Sequence, residues 1–306
     1  MRKLDQGITM RIGTAEHDST FTTQGMALRE VFLNAGIGGP IDIVEARFAS
    51  TENARKLEEG GIDFGFMASN WIGRALRGEA PFSEPLDLRM VAPMNAGPMY
   101  FITRADSSIE TMSDLRGKRV SVGPEHSGTR QHAHSILGAL GIGFEDFTPL
   151  FMDFAEGAQA LAHGEIDAQL QCPYPNKVMN ALDAETDLRV IGLSEAELAV
   201  VMAASPVYQR TVMRKGSLRA LNADALQPAV LNVLVTHARA DEEMVAQATR
   251  AIVDHARDLE LLNPLFAGLP ELFEPLRSWG AAAFTFEGVD LHPGAIRAYQ
   301  EAGLLT

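Results

Sequence analysis

Leu57-Glu58-Glu59-Gly60-Gly61-Ile62-Asp63 and Leu161-Ala162-His163-Gly164-Glu165-Ile166-Asp167 are two copies of one phrase, Leu-x-x-Gly-x-Ile-Asp, set 104 residues apart. The agreement continues upstream, where Glu52-x-Ala54 matches Glu156-x-Ala158. Each copy therefore reads as a helix ended by Gly60 or Gly164, because glycine tolerates the left-handed turn that follows a helix end. The residues that follow, 62–67 and 166–170, read as short buried strands. Further upstream, Ala35-Gly36-Ile37-Gly38 has a counterpart in Leu140-Gly141-Ile142-Gly143, and Glu16-His17 with Thr20 has a looser one in Glu125-His126 with Thr129. Four features in one order favour a duplicated topology over chance.

Each half then runs strand, polar loop, helix, strand, helix, strand, first from Arg11 to Asn70 and again from Arg119 to Asn176. Strands alternating with helices predict parallel sheets with helices on their faces. Between the halves, residues 88–94 and 99–103 are apolar and strand-like, separated by Asn95-Ala96-Gly97-Pro98, a natural crossing point. Residues 230–236 read as another strand, followed by a helix over 241–259 with an Asp241 cap and Glu242 and Glu243 in its first turn. The expected organisation is a two-lobed α/β fold, each lobe a sheet flanked by helices. Lobe I takes residues 7–99 and 230–306, lobe II takes 100–229, and two crossings form a hinge. Ligands of open α/β sheets bind outside the carboxyl ends of the strands, so the interlobe cleft is the expected site.

The bulk properties fit this picture. A chain of 306 residues with 46% hydrophobic and 22% charged residues is long enough for two cores and typical of a globular protein. Its net charge of −14 argues against nucleic acid and anionic membrane surfaces as partners, while leaving room for a locally positive cleft. Cys172 is the single cysteine, which excludes an intramolecular disulfide and a cysteine zinc site. The apolar run at 198–204 is too short to span a bilayer. Residues 1–13 carry Arg2 and Lys3 but no apolar segment or small-residue cleavage site, so either an export signal has been removed or the chain is cytosolic.

Asp114-Leu115-Arg116-Gly117-Lys118-Arg119-Val120-Ser121-Val122-Gly123, followed by Ser127-Gly128-Thr129-Arg130, resembles the second-lobe opening of type II periplasmic binding proteins. With Phe154-Ala155-Glu156, Gly164-Glu165-Ile166-Asp167-Ala168, His292-Pro293-Gly294-Ala295, Tyr299 and Glu301-Ala302-Gly303, the chain resembles the TAXI family of TRAP-transporter solute receptors. The resemblance implies an extracytoplasmic, monomeric receptor without cofactor, delivering a small organic acid or amino acid to TRAP membrane permease subunits. Where the family opens with a Gly-rich loop and an aromatic pair, this chain reads Gly13-Thr14-Ala15-Glu16-His17-Asp18-Ser19-Thr20-Phe21-Thr22.

Candidate ligand contacts sit in the strand-end loops. Ser127, Gly128, Thr129 and Arg130 lie between a strand and a helix running to Leu140, where unpaired N–H groups, hydroxyls and a guanidinium suit an anion. The first lobe offers Thr14, Asp18, Thr20 and Phe21, then Ser50 and Thr51, then Ser69 and Asn70. Tyr174 and Asn176 follow the second-lobe strand in a loop stiffened by Pro173 and Pro175. Glu16 and Asp18 would meet the ammonium of an amino acid, or else face solvent.

Other chemistry is weaker. His126, His132 and His134 fall within nine positions, but 132 and 134 point to different sides of a helix, which disfavours one shared metal. No nucleophile elbow, P-loop or dinucleotide fingerprint is present. The alternatives are a cytosolic enzyme on the same fold, a lyase or biosynthetic step using Glu16, His17 or Asp18 as acid or base, and a sensory module.

Overall fold

A computed structural model describes residues 9–17, 19–37, 39–125, 127–205 and 207–306. The chain forms two compact units, Met1–Asn95 with Leu231–Thr306, and Ala96–Val230. The first contains β1 (Met10–Gly13), α1 (Thr20–Asn34), β2 (Ile41–Val44), α2 (Ser50–Glu58), β3 (Phe64–Ala68) and α3 (Ile72–Arg77) before β4 (Leu88–Pro98) carries the chain onward. The second contains β5 (Tyr100–Arg104), β6 (Arg119–Ser121), α4 (Gly128–Ala139), β7 (Thr148–Leu150), α5 (Phe154–Ala162) and β8 (Ala168–Gln171). It continues through α6 (Lys177–Glu185), β9 (Leu188–Ile191), α7 (Glu195–Ala204) and β10 (Tyr208–Met213). Strand β11 (Ala225–His237) then returns the chain to the first unit. There α8 (Glu242–Asp254), α9 (Ala256–Leu262), α10 (Leu269–Leu272), α11 (Pro275–Trp279) and α12 (Pro293–Glu301) complete it.

Both sheets are mixed, where the alternation of strands and helices predicted parallel ones. In the first unit β1 lies between β2 and β3, parallel to each, and β11 is antiparallel to β3 through Asn232↔Ala68 to Val235↔Gly65. In the second, β6 lies between β7 and β8, parallel to each, and β5 pairs antiparallel with β8 and β9. The reversals come from segments outside the repeated phrase: β5 enters, and β11 re-enters, opposite to the duplicated strands. The crossing strands are also longer than expected. Strand β4 runs without a break through Asn95, Ala96 and Gly97, and the interruption falls at Met99, whose N–H donates to Pro228 O at 2.8 Å.

The repeated phrase has one structural meaning in both units. Gly60 and Gly164 take φ of 71° and 73° just past α2 and α5, and the next residues return N–H groups to Lys56 O and Ala160 O. That closes the helix ends and turns the chain into the following strand. Asp63 then accepts from Arg11 N at 2.8 Å and pairs with its guanidinium, while Asp167 does the same with Arg119. Thr236 Oγ1 on β11 donates to Asp63 O at 2.7 Å, and Thr103 Oγ1 on β5 to Asp167 O at 2.8 Å.

Beneath α2 and α5 the halves differ by an exchange of size. Gly13 pairs with Gly65 in the first sheet, and a Cβ on Gly13 would sit 2.6 Å from Asn53 Oδ1. At the matching place Ser121 pairs with Gln169, and a Cβ on Gly157 would sit 2.3 Å from Gln169 Nε2. One amide fills each helix–sheet junction, supplied by the helix in the first unit and by the strand in the second.

Apolar burial supplies the rest. Phe64, Phe66 and Leu57 are buried in the first unit, and Tyr100, Leu161, Ile166 and Met179 in the second; each large side chain contributes about 1.5–3 kcal/mol. The expected helix over 241–259 is broken at His255, whose φ of −109° and ψ of 21° separate α8 from α9. The His292-Pro293-Gly294 motif opens α12: the His292 ring accepts from Gly294 N, and a Cβ on Gly294 would lie 2.3 Å from Glu242 O. Tyr299 OH donates to Val91 O at 2.9 Å, so these residues lock α12 onto the unit.

Candidate functional site

The parallel strands of each unit end in loops that begin the helices, and three of these loops in the first unit and two in the second carry the polar candidates. Serine opens the first helix of both. Ser19 Oγ accepts from Thr22 N at 3.2 Å and Ser127 Oγ from Arg130 N at 3.1 Å. The equivalent residues are therefore Ser19 and Ser127, 108 apart like Arg11 and Arg119, one position off the match of Thr20 with Thr129 drawn from sequence. After a cap the next N–H groups, of Gly128 and Thr129, are free of intrahelical partners. Gly128 is exposed, and a Cβ there would meet nothing within 4 Å, so nothing in the protein crowds the helix start.

One bond links that start to the loop after β8, and the other second-unit candidates serve their own elements. Thr129 hydrogen-bonds the Cys172 thiol, and burial pushes that thiol up to about 12, so it stays protonated. The Tyr174 ring meets Tyr100 edge-on at 6.3 Å and its OH donates to Ser217 O, which ties it to its own unit. Asn176 caps α6 by accepting from Met179 N at 2.8 Å while its amide donates to Pro173 O at 2.6 Å, so both ends of the side chain serve the loop. The Arg130 guanidinium does not lean back over the helix start. It packs on Phe144 and Phe151, 5.8 and 5.3 Å from the ring centroids, with Nε buried and unpartnered.

In the first unit Thr14 is buried, its hydroxyl donating to Val44 O and accepting from Thr22 Oγ1. Phe21 is buried and stacks on Phe66 at 5.4 Å, which makes it a core residue. Thr20 opens α1 and is half-buried. Ser50 Oγ accepts from Ala68 N at 3.0 Å, which brings the Ser50-Thr51 loop against the Ser69-Asn70 turn; Ser69 Oγ is buried without a partner. Asp18 and His126 lie outside the described residues. Glu16 is exposed, and His17 pairs with Glu45 at 2.9 Å.

Two residues tie these loops together that the reading of site residues had not selected. Asn53 donates to Thr14 O at 2.7 Å and Phe66 O at 2.9 Å, joining the end of β1 to the middle of β3. Gln24 donates to Asn95 Oδ1 at 3.1 Å, joining α1 to β4. The signal was available: both are amides on the apolar face of an amphipathic helix, where a polar residue must find a partner.

The histidines of the second unit go separate ways. His132 Nδ1 meets Tyr208 OH at 2.8 Å, and burial holds its imidazole down at about 4, hence neutral near pH 7. His134 meets the Phe144 ring edge at 5.5 Å. Among the described residues no group of three His, Cys, Asp or Glu is placed to hold a metal, and no helix is long and apolar enough to cross a membrane. A groove of about 710 Å³ runs between α1 and the edge strand β2, from Met26, Arg29 and Ile41 up to His17, Thr22 and Glu45, and so reaches the strand-end loop that Ser19 caps.

Two α/β units of this topology, with capped helix starts at their strand ends, define the class of periplasmic solute-binding folds, and the solved structures agree. The chain is similar to a putative periplasmic sulfonate-binding protein, SsuA, of Methylobacillus flagellatus KT, with a TM-score of 0.58 and 14% identity over 98% of this chain and 96% of that one. A TctC solute-binding protein from Polaromonas gives a TM-score of 0.56 and 14% identity, over 97% and 96%. The aliphatic sulphonate-binding protein SsuA of Escherichia coli gives 0.52 and 16%, over 97% and 88%. The sequence model of the NMT1-like family matches residues 12–303, and the chain belongs to that family.

Proposed function

We propose that this chain is an extracytoplasmic solute-binding receptor of a membrane transporter, of the tripartite TAXI and TRAP type, that takes up a small organic anion or amino acid. The observation that carries the reading is the start of α4, where Ser127 caps the helix, Gly128 leaves the approach open, and the N–H groups of Gly128 and Thr129 point out of the helix end. The helix dipole adds partial positive charge at the same point. Strand-end loops of the first unit, with Thr14, Thr20, Ser50, Thr51, Ser69 and Asn70, belong to the same proposal. The finer assignment to TAXI and to TRAP permease partners rests on the sequence motifs. The Methylobacillus flagellatus protein of this fold belongs to a putative sulfonate ABC transporter, which supports a transporter partner of some kind.

The test is mass spectrometry of solute retained through gentle purification, followed by calorimetry with dicarboxylates and amino acids. Gly128→Ala adds a methyl where the anion would approach and is expected to lower affinity without loss of folding. Arg130→Ala is expected to leave affinity nearly unchanged, because its guanidinium packs on Phe144 and Phe151 and not over the helix start. Unchanged affinity in Gly128→Ala removes α4 from the site and overturns the reading.

A further inference from the structure

The first unit contains a cleft of about 440 Å³ lined by Phe48, Ser50, Thr51, Arg55, Trp71 and Pro81. Its walls are aromatic rings with arginines laid on them. Arg47 sits over Phe48 at 5.5 Å, Arg55 over Phe82 at 5.7 Å and Arg74 over Trp71 at 5.0 Å. Most arginines of this acidic chain hold a carboxylate, as Arg77, Arg89, Arg104 and Arg119 do. Arg55, which lines the cleft, and Arg47 and Arg74, which lie on the lining rings of Phe48 and Trp71, make no such pair among the described residues. Arg55 Nη2 donates to Pro81 O at 2.6 Å and Arg74 Nη2 to Ala80 O at 2.5 Å, so adjacent carbonyls gather two guanidiniums at one loop. Of the nearby carboxylates, Glu79 pairs with Arg77 at 2.6 Å and also attracts Arg74, Glu52 is held by Lys56 at 2.9 Å and by Phe48 N, and Glu58, Glu59 and Glu84 stand beside Arg55 on the side of Phe82.

The backbone at the rim is unusual as well. Ala49 has φ 42° and ψ −112°, a left-handed φ that an alanine rarely adopts. It turns the chain so that Phe48 stands 65% exposed at the mouth. An exposed apolar ring beside arginines that hold no carboxylate in a direct pair suits a planar anion, which would cover the ring and meet the charge together.

We propose that this cleft binds an aromatic carboxylate, its ring against Phe48 and Trp71 and its charge on Arg55 and Arg74. The inference deepens the proposed function, because Ser50 and Thr51 line the cleft, yet it uses the first unit alone. The test is calorimetry of the full chain with 2-naphthoate, and with hexanoate and 2-naphthylmethanol as controls lacking the ring or the charge. Binding of 2-naphthoate about tenfold tighter than either control is expected. Phe48→Ala, which removes an exposed ring, and Arg74→Gln should each weaken it about tenfold. The indole N–H resonance of Trp71, assigned in a Trp279→Phe background, should shift on titration. Absence of 2-naphthoate binding, affinity indifferent to Phe48→Ala and Arg74→Gln, or an unmoved Trp71 signal overturns the inference. Loss of binding in Gly128→Ala with none in Phe48→Ala overturns it while leaving the α4 reading intact; the reverse pattern supports the cleft and overturns α4.

Discussion

Asp167 accepts from the backbone N–H of Arg119 at 2.8 Å and from its guanidinium at 2.7 and 3.1 Å, so one carboxylate fixes both the start of β6 and the turn into β8. Asp63 does the same for Arg11 in the first unit, at 2.8, 3.1 and 3.3 Å. The conspicuous aspartate of each repeated phrase is thus a latch between neighbouring parallel strands. It serves the fold, and the proposed ligand contacts lie at the opposite ends of those strands.

Replacing the latch should therefore change stability and leave ligand affinity alone. The Arg119 guanidinium holds the Asp167 carboxyl below the ordinary aspartate value of 3.8. A depressed folded value means that the stabilisation is present above that ordinary value and is lost as pH falls through the lower one. Asp167→Asn is expected to lower Tm at pH 7, with the gap from the parent closing as the pH is taken below about 4. Thermal melts across that range check it.

The exchanged amides predict a coupled pair. Gly157→Ala forces a methyl against Gln169 and Ser121 and is expected to cost about 1–3 kcal/mol. In Gln169→Ala the space is vacated, so the same glycine substitution made there should cost markedly less. Urea denaturation of the four proteins gives the coupling energy, and simple additivity would contradict the packing described.

Asn53→Leu should be more damaging than its size suggests. It strands the carbonyls of Thr14 and Phe66, two buried acceptors, at about 1–3 kcal/mol each. Because those carbonyls belong to the end of β1 and the middle of β3, hydrogen exchange is expected to rise in residues 13–17 and 64–68 before it rises elsewhere.

His132 supplies a pH dependence of opposite origin. Its folded value of about 4 lies below the ordinary 6.5, so the unfolded chain binds the extra proton first. Stability is expected to fall as pH drops from 6.5 toward 4 and to level off below, by on the order of 2 kcal/mol. His132→Asn should flatten that part of the profile, as measured by denaturation at each pH.

What the sequence determined by itself was the local and the repeated. Glycine after an amphipathic run ends a helix wherever it occurs, so Gly60 and Gly164 announced the helix–strand turns. Ser127 and Asp241 likewise announced their caps, because a cap is made within four residues of chain. The two-unit α/β class followed from the repeat and from the segment running from Asp114 to Arg130, while His292-Pro293-Gly294, read for the TAXI resemblance, proves to lock a helix in place.

Tertiary structure alone decided the rest, since each remaining feature depends on atoms far apart in the chain. The direction of β5 and β11, which makes the sheets mixed, follows from where the crossings re-enter. The burial of Phe21 against Phe66 and the packing of Arg130 on Phe144 and Phe151 depend on side chains from other elements. So does the gathering of Arg55 and Arg74 at Ala80 and Pro81, which no spacing in the sequence reveals. A residue's type sets what it is able to bind; only its neighbours in space decide whether that capacity is already used.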